Sequence, residues 1–320
     1  MAGVVRIGLV LPTRDLAESG RAGDVVAAAV AAEAAGADSV WVGDSLFARP
    51  RFDPLSLLAG VATATSSVTL GTAVLLAPLW NPLLLARAAA TVDVLSEGRL
   101  VLGIGAGPAY GPARKEFAAV GIPHADRFGR LLEIVEVCRS VWCPGPVDVA
   151  GERWSFRNVD LHPKPVTGPR IWWGVHGPRG LRVAGTRGDG WLPTGRGPEE
   201  YARGLQAVRA TASGPTDAAV YLTVAVAADA AVAEARLRNA QERYYRAPWA
   251  TVRDLEDHCA GTPDTVAAHI ARYVRVGATD VVLRFAGGDP ISQLADLLAL
   301  RGEIHAATAL HHGRGSESGT

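Results

Sequence analysis

Apolar positions along this chain fall into two alternating rhythms. Short runs rich in β-branched residues are followed by longer Ala-rich stretches of helical character. Residues 4–11 (VVRIGLVL) predict a strand, and 23–35 predict a helix that Gly36 stops. Residues 39–43, 68–76 and 99–104 predict strands two to four, separated by helices over 54–65 and 82–95. The rhythm then loosens. Residues 115–121 and 127–142 predict helices, and 144–167 a β-hairpin insertion, because VDVAGERWSF alternates around a Gly-containing turn. Strands resume over 170–175, 190–192, 219–227 and 280–285. Helices are predicted from about residue 178 and over 199–212, 229–245 and 290–303. One more helix opens at Thr262-Pro263-Asp264, with Thr262 as N-cap, Pro263 at the first position and Asp264 facing the positive dipole end.

Eight strands alternating with helices predict an α/β fold, a (β/α)8 TIM barrel with insertions. A doubly wound open sheet buries similar apolar strands and is not excluded by periodicity; the count of eight favours the barrel. The expected organisation is one barrel domain over residues 1–310, with insertions near 110–167 and 228–261. A Gly/Ser-rich tail over 311–320 has the composition of a disordered segment.

Composition narrows the function classes. The 320 residues are 48% hydrophobic, enough for one large core. Lys+Arg and Asp+Glu are both 32, so no net field draws nucleic acid or an anionic membrane, and a small-molecule substrate is the expectation. Cys138, Cys143 and Cys259 are odd in number and lack CxxC spacing, which points away from a disulfide framework and towards a reducing cytoplasm. The first residues do not read as a signal peptide. The most apolar stretch, 68–90, is interrupted by Gly71, Pro78, Asn81, Pro82 and Arg87 and does not read as a membrane span.

In a (β/α)8 barrel the chemistry lies at the C-terminal ends of the strands. The candidates there are Asp44 and Ser45 after strand two, Leu76 to Asn81 with Trp80 after strand three, the Gly105–Gly111 loop with Ala106, Gly107 and Tyr110 after strand four, Gly174 to Gly180 after strand five, and Arg284 at the end of strand eight. Glycines let a backbone approach a ligand closely and expose N–H donors. His176-Gly177-Pro178-Arg179-Gly180 leads straight into a helix, an arrangement suited to a cofactor phosphate; a plain turn with a solvated Arg179 reads equally well from these residues alone. Gly103-Ile104-Gly105-Ala106-Gly107-Pro108 lacks the last glycine of a dinucleotide fingerprint and follows the fourth strand rather than the first, so a Rossmann site is set aside. Asp44 is either a ligand-holding carboxylate or a polar rim residue. His176 is either a proton donor at the mouth or a surface histidine. The remaining histidines show no metal-ligand spacing and no HExxH or GxSxG occurs, so no metal is expected.

Several segments, in order, resemble the bacterial luciferase-like monooxygenase superfamily. They include RIGLVLP, AAEAAGADSVWVGDS, FDPLSLLAGVATATSSVTLGTAVL, NPLLLARAAATVDVLSEGRLVLGIGAG, GLRVAGTRGDGWLP and GTPDTVAAHIARYVRVGATDVVLRF. The most specific piece runs from Asp93 to Gly107 (D-x-L-S-x-G-R followed by G-x-G-x-G). The resemblance implies a barrel enzyme, often a homodimer, that works with coenzyme F420 (a deazaflavin) to move hydride, or with O2 and reduced FMN, the reduced FMN coming from a separate flavin reductase. A non-catalytic flavin-binding barrel is a third reading. The resemblance also implies that Asp44 contacts the coenzyme and that a cis peptide at Ala73-Val74 sits near Leu76 beneath the ring. It places the cofactor on Ala106, Gly107 and His176 to Gly180, and the substrate beside Ser45, Trp80, Tyr110 and Arg284. Sugar-phosphate dehydrogenases of that superfamily carry His directly after the strand-two acid and Glu in the strand-four loop. Ser45 and Pro108 stand there instead. Proton chemistry is therefore left to Asp44 and His176, and oxidation of a sugar phosphate is not expected.

Overall fold

Strands buried on both faces dominate the architecture. In the computed structural model, β2 (Ser39–Val42) and β4 (Leu100–Ile104) are buried at every position, the pattern of parallel strands covered by helices. The structure describes residues 4–14, 21–108, 111 and 113–306. The 311–320 tail and Tyr110 lie outside the described residues. The other strands are β1 (Arg6–Val10), β3 (Thr69–Thr72), β5 (Val147–Ala150), β6 (Ser155–Val159), β7 (Arg170–Trp173), β8 (Gly190–Trp191), β9 (Asp217–Val226), β10 (His258–Gly261) and β11 (Asp280–Phe285). They pair in the order β10-β9-β11-β1-β2-β3-β4-β7-β8, with β8 pairing in turn with β9, and β5 and β6 form a separate antiparallel pair. This is a (β/α)8 TIM barrel with a hairpin insertion.

The described residues fall into two units: 4–10, 31–40 and 175–306 in one, and those within 11–30 and 41–174 in the other. The second unit holds β3, β4 and β7, with α2 (Pro54–Ala64), α3 (Pro82–Leu95), α4 (Ala113–Ala119) and α5 (Arg127–Trp142). Its core centres on Trp41, which is fully buried and stacks on Trp172 with ring centroids 5.2 Å apart. Gly71 is required beneath it, because a Cβ there would lie 2.1 Å from the indole. The Asp93–Arg99 motif is structural. The buried Asp93 carboxylate accepts the Val166 N–H at 2.8 Å, and the Arg99 guanidinium donates to carbonyls of Ala62, Thr65, Val68 and Ser96 and to the Thr65 hydroxyl. The hairpin is pinned to α5 by Glu133, whose Oε1 accepts the N–H groups of Arg153 and Trp154.

The first unit holds β1, β8, β9, β10 and β11, with α6 (Gly177–Arg187), α7 (Pro198–Arg209), α8 (Ala230–Tyr245), α9 (Trp249–Val252), α10 (Pro263–Arg275), α11 (Pro290–Ala299) and α12 (Arg301–Ala306). Arg6 on β1 forms a bidentate pair with Asp280 at the start of β11, at 2.6 and 2.7 Å. α10 begins as predicted: the Thr262 hydroxyl accepts from the Thr265 N–H, and Pro263 occupies the first turn. α1 (Ala22–Ala34) spans the two units and ends where Gly36, at φ +92°, closes a Schellman turn in which the Ala37 N–H reaches the Ala32 carbonyl at 3.0 Å.

Three expectations need correction. Strand three ends at Thr72, four residues short of the predicted end, and the chain continues through a cis Ala73-Val74 peptide to Leu75, which bridges Ile104. The predicted 290–303 helix is two helices, with Leu300 as the C-cap of the first. The second insertion contains an unforeseen strand, β10, which adds in parallel to β9.

Candidate active site

Asp44 follows β2, where the chain leaves a strand that is buried throughout. Its Oδ2 accepts the Leu76 N–H at 2.9 Å. Burial pushes its pKa up to about 6, against the Leu76 hydrogen bond and the positive Arg51, with Asp53 and Glu116 adding to the rise. No other hydrogen bond to this carboxylate is found among the described residues. Leu76 thus brackets the acid from the segment that follows β3. Ala73 and Val74 are joined by the cis bond that the resemblance implied. Val74 packs over Gly105, where a Cβ would lie 2.7 Å from its Cγ2. Ala106 is partly buried, and Gly107, at φ +78°, sits against Leu76 and Phe117. Trp80 is partly buried at the end of the short 3-10 turn Ala77–Leu79.

Ser45 is not free to serve a ligand alone. Its hydroxyl donates to Glu116 Oε1 at 2.8 Å, and that same oxygen accepts the N–H groups of Phe47 and Ala48. Glu116 is 1% exposed. It shapes the loop after Asp44 and was missed from the sequence, although an acid next to Phe117 on the buried face of a short helix was the available signal.

In the other unit, His176 caps α6 in an extended conformation without a side-chain capping bond, and Gly177 follows at φ +74° with Pro178 in the first turn. Gly180 allows the helix to close on Val175, since a Cβ there would lie 2.9 Å from it. His176, Gly177 and Arg179 are exposed. The protein packed on the inner side of the imidazole lowers the His176 pKa first, Arg196 lowers it further, and Glu200 opposes. A cavity of about 250 Å³ opens here, with Trp191, Tyr201 and Leu181 as apolar floor and His176, Arg196 and Arg203 among its lining. The first-turn amides of α6 and these two arginines favour an anion, and the Glu200 carboxylate on the same cavity opposes them.

Arg284 lies on β11 in register with Thr223 on β9. Its Nη2 donates to Thr223, Gln241 and Glu256 at 2.8, 2.7 and 2.7 Å, and its Nε donates to Thr223 at 3.1 Å. The guanidinium stacks 4.0 Å from the Tyr244 ring centroid. Sequence reasoning found Arg284 but not Glu256, Gln241 or Thr223. No group of His, Cys, Asp and Glu side chains among the described residues is arranged to hold a metal, and no described helix is long and apolar enough to cross a membrane.

The family model for luciferase-like monooxygenase matches residues 5–280. The F420-dependent glucose-6-phosphate dehydrogenase of Rhodococcus erythropolis is 35% identical over 121 residues, 38% of this chain and 36% of that protein. The phthiodiolone/phenolphthiodiolone dimycocerosates ketoreductase of Mycobacterium bovis is 33% identical over 211 residues, 57% of this chain and 54% of that protein. The matches therefore span about a third and about half of these curated relatives. Among solved structures, a monooxygenase from Streptomyces bottropensis superposes with TM-score 0.78 at 26% identity, covering 96% of this chain and 100% of its own. Two more share the fold: an F420-dependent secondary alcohol dehydrogenase (TM-score 0.78, 20% identity, 96% and 99% covered) and the FMN-bound oxygenating constituent of 3,6-diketocamphane monooxygenase from Pseudomonas putida (0.74, 20%, 95% and 99%). With the family model matching residues 5–280 and the fold shared over 96% of the chain, the chain belongs to the luciferase-like monooxygenase family.

Proposed function

We propose that this protein is an oxidoreductase that moves hydride between coenzyme F420 and a small organic substrate at the C-terminal strand ends. The observation that carries the reading is Asp44: a strand-end carboxyl with one backbone donor and a pKa raised to about 6. Such a group holds or releases a proton near neutral pH and accepts a hydrogen bond from a ring N–H or hydroxyl. Curated relatives named as an F420-dependent dehydrogenase and a ketoreductase support the same chemistry.

The residues fit a phosphate-bearing cofactor. A Cβ at Gly177 would meet nothing within 4 Å, so the backbone there is open to close approach. α6 has no side-chain cap, which leaves its amide end available to a phosphate, with Arg196 and Arg203 on the same cavity. Within one unit, Asp44 and Leu76 would contact a ring atom, with Val74 and Gly105 packed beside them; within the other, taken by itself, Gly177 to Gly180 would offer backbone amides to a phosphate. Bound there, a deazaflavin supplies a hydride donor or acceptor. Asp44 would be the group that shares a proton or hydrogen bond with a ring atom. In the other unit, partial burial and Arg196 favour the neutral ring of His176, which makes it a group able to take a proton.

Absorbance titration of the purified protein with F420 and with FMN tests the reading. F420 should bind with micromolar affinity or better, and Asp44→Asn should weaken it by about tenfold or more, the loss of one charge-assisted hydrogen bond. Tight FMN binding without F420 binding would instead make this an FMN-dependent monooxygenase that needs a separate reductase.

A further inference from the structure

The ends of β9 and β11 carry a buried charge whose partners are complete on one side and open on the other. Tyr221 and Thr223 share one face of β9 by the two-residue period, and Arg284 pairs with Thr223 across the sheet. Glu256 Oε1 accepts from Arg284 Nη2 at 2.7 Å, from Gln241 Nε2 at 2.6 Å and from the Thr223 hydroxyl at 3.0 Å. Thr223 and Gln241 are fully buried, and the Glu256 side chain is 5% exposed. None of the four side chains in this hydrogen-bonded ring is among the groups that would hold the cofactor.

Its charge balance is specific. One carboxylate neutralises one guanidinium, and the Nε and Nη2 edges of Arg284 are fully used. Nη1 makes no hydrogen bond among the described residues, and the Arg284 side chain keeps 13% exposure. The Tyr244 ring covers one face of the guanidinium, and Tyr245 is partly buried next to it in sequence. A second anion brought to Nη1 would meet Glu256 across the same guanidinium and would be desolvated without a second positive charge to compensate. A neutral oxygen meets no such penalty, and it accepts a hydrogen bond from a charged donor.

We propose that Arg284, neutralised by Glu256 and oriented by Thr223 and Gln241, is a specificity-determining residue whose Nη1 holds the oxygen of an uncharged ketone or secondary alcohol, so that phosphorylated and carboxylate substrates are rejected. The proposal rests on the oxidoreductase reading for its substrate but not for its binding chemistry. Glu256, Thr223 and Gln241 are positioning residues that act through Arg284.

The test is run on the full chain without added cofactor, beside a separate F420 titration, so that failure of the cofactor reading leaves this result standing. A series of uncharged ketones from acetone to acetophenone is followed by saturation-transfer NMR, and glucose 6-phosphate by calorimetry. The proteins are the wild type, Glu256→Gln, and Glu256→Gln/Arg284→Gln, which removes both charges and keeps hydrogen-bonding groups in place. The wild type should bind at least one ketone and show no binding of glucose 6-phosphate that the double variant abolishes. Ketone affinity should fall about tenfold or more in the double variant, as expected for a lost charge-assisted hydrogen bond. Glu256→Gln should gain glucose 6-phosphate binding that the double variant lacks. Should Glu256→Gln fail to fold, the wild type against the double variant still decides. Arg284-dependent binding of glucose 6-phosphate to the wild type, no ketone binding at all, or equal ketone affinity in wild type and double variant would each overturn the proposal.

Discussion

Two partly or wholly buried acids, one in each unit, have opposite surroundings. Glu256 gathers three donors on one oxygen, among them a guanidinium. Asp44 receives one backbone N–H and is pushed up to about pH 6 by burial. The first is a finished electrostatic unit whose role is to hold Arg284 in place. The second is left under-satisfied, which raises its energy in the ionised form and leaves it capacity for a ligand. Solvation separates them: the same chemical group becomes scaffold when its partners are supplied by the fold and becomes a candidate for chemistry when they are not.

The contrast is most easily broken at Arg284. Arg284→Met leaves Glu256 buried with its charge unpaired and should cost about 3–5 kcal/mol in urea unfolding. Adding Glu256→Gln should recover most of it. A single variant as stable as the wild type would show that the pair does not carry the charge burial. Asp44 should behave in the reverse sense. Its folded pKa of about 6 lies above the ordinary 3.8, so the folded chain binds the proton more tightly. Its contribution is fully present below the ordinary value and is lost as pH rises through about 6, by at most about 3 kcal/mol. Asp44→Asn should flatten that part of the stability–pH curve and stabilise the protein at pH 7.5, while weakening cofactor binding. An unchanged pH curve in this variant would remove the raised pKa from the account.

Glu116 gives an intermediate case within the same unit as Asp44. Glu116→Ala strips the acceptor from Ser45, Phe47 and Ala48 and should cost roughly 2 kcal/mol, with faster hydrogen exchange at the Phe47 and Ala48 amides. Exchange left as slow as in the wild type would mean that other groups order this loop. The smallest effect is expected at Gly177, whose φ of +74° disfavours a side chain. Gly177→Ala should cost about 1 kcal/mol and should weaken F420 binding several-fold, read by thermal unfolding and titration. Unaltered F420 affinity would argue against phosphate contact at this turn.

Much of the barrel was legible because local signals and tertiary fate agree. The helices Arg127–Trp142 and Pro82–Leu95 and the strand Asp280–Phe285 have the bounds read from pattern, and Gly36 and Thr262 do the capping their residue types suggest. What stayed hidden depends on distant partners. β10 is four residues whose extended form rests on hydrogen bonds to β9, and no local pattern marks it. Asp44 stood out as a polar residue ending an apolar strand, but its raised pKa comes from burial that no spacing reveals. Glu256 meets Thr223 and Gln241 from 33 and 15 residues away, and Arg284 meets Thr223 across 61. Nothing in the sequence around Arg284 shows that its charge is already matched.

The central claim is that Asp44 is the protonatable partner of a deazaflavin. The most direct measurement is the affinity of F420 across pH 5 to 8 for the wild type and Asp44→Asn. The account predicts a wild-type profile that breaks near pH 6 and a weaker, flat profile for the variant over the same range. Profiles of equal affinity and equal shape in the two proteins would contradict it.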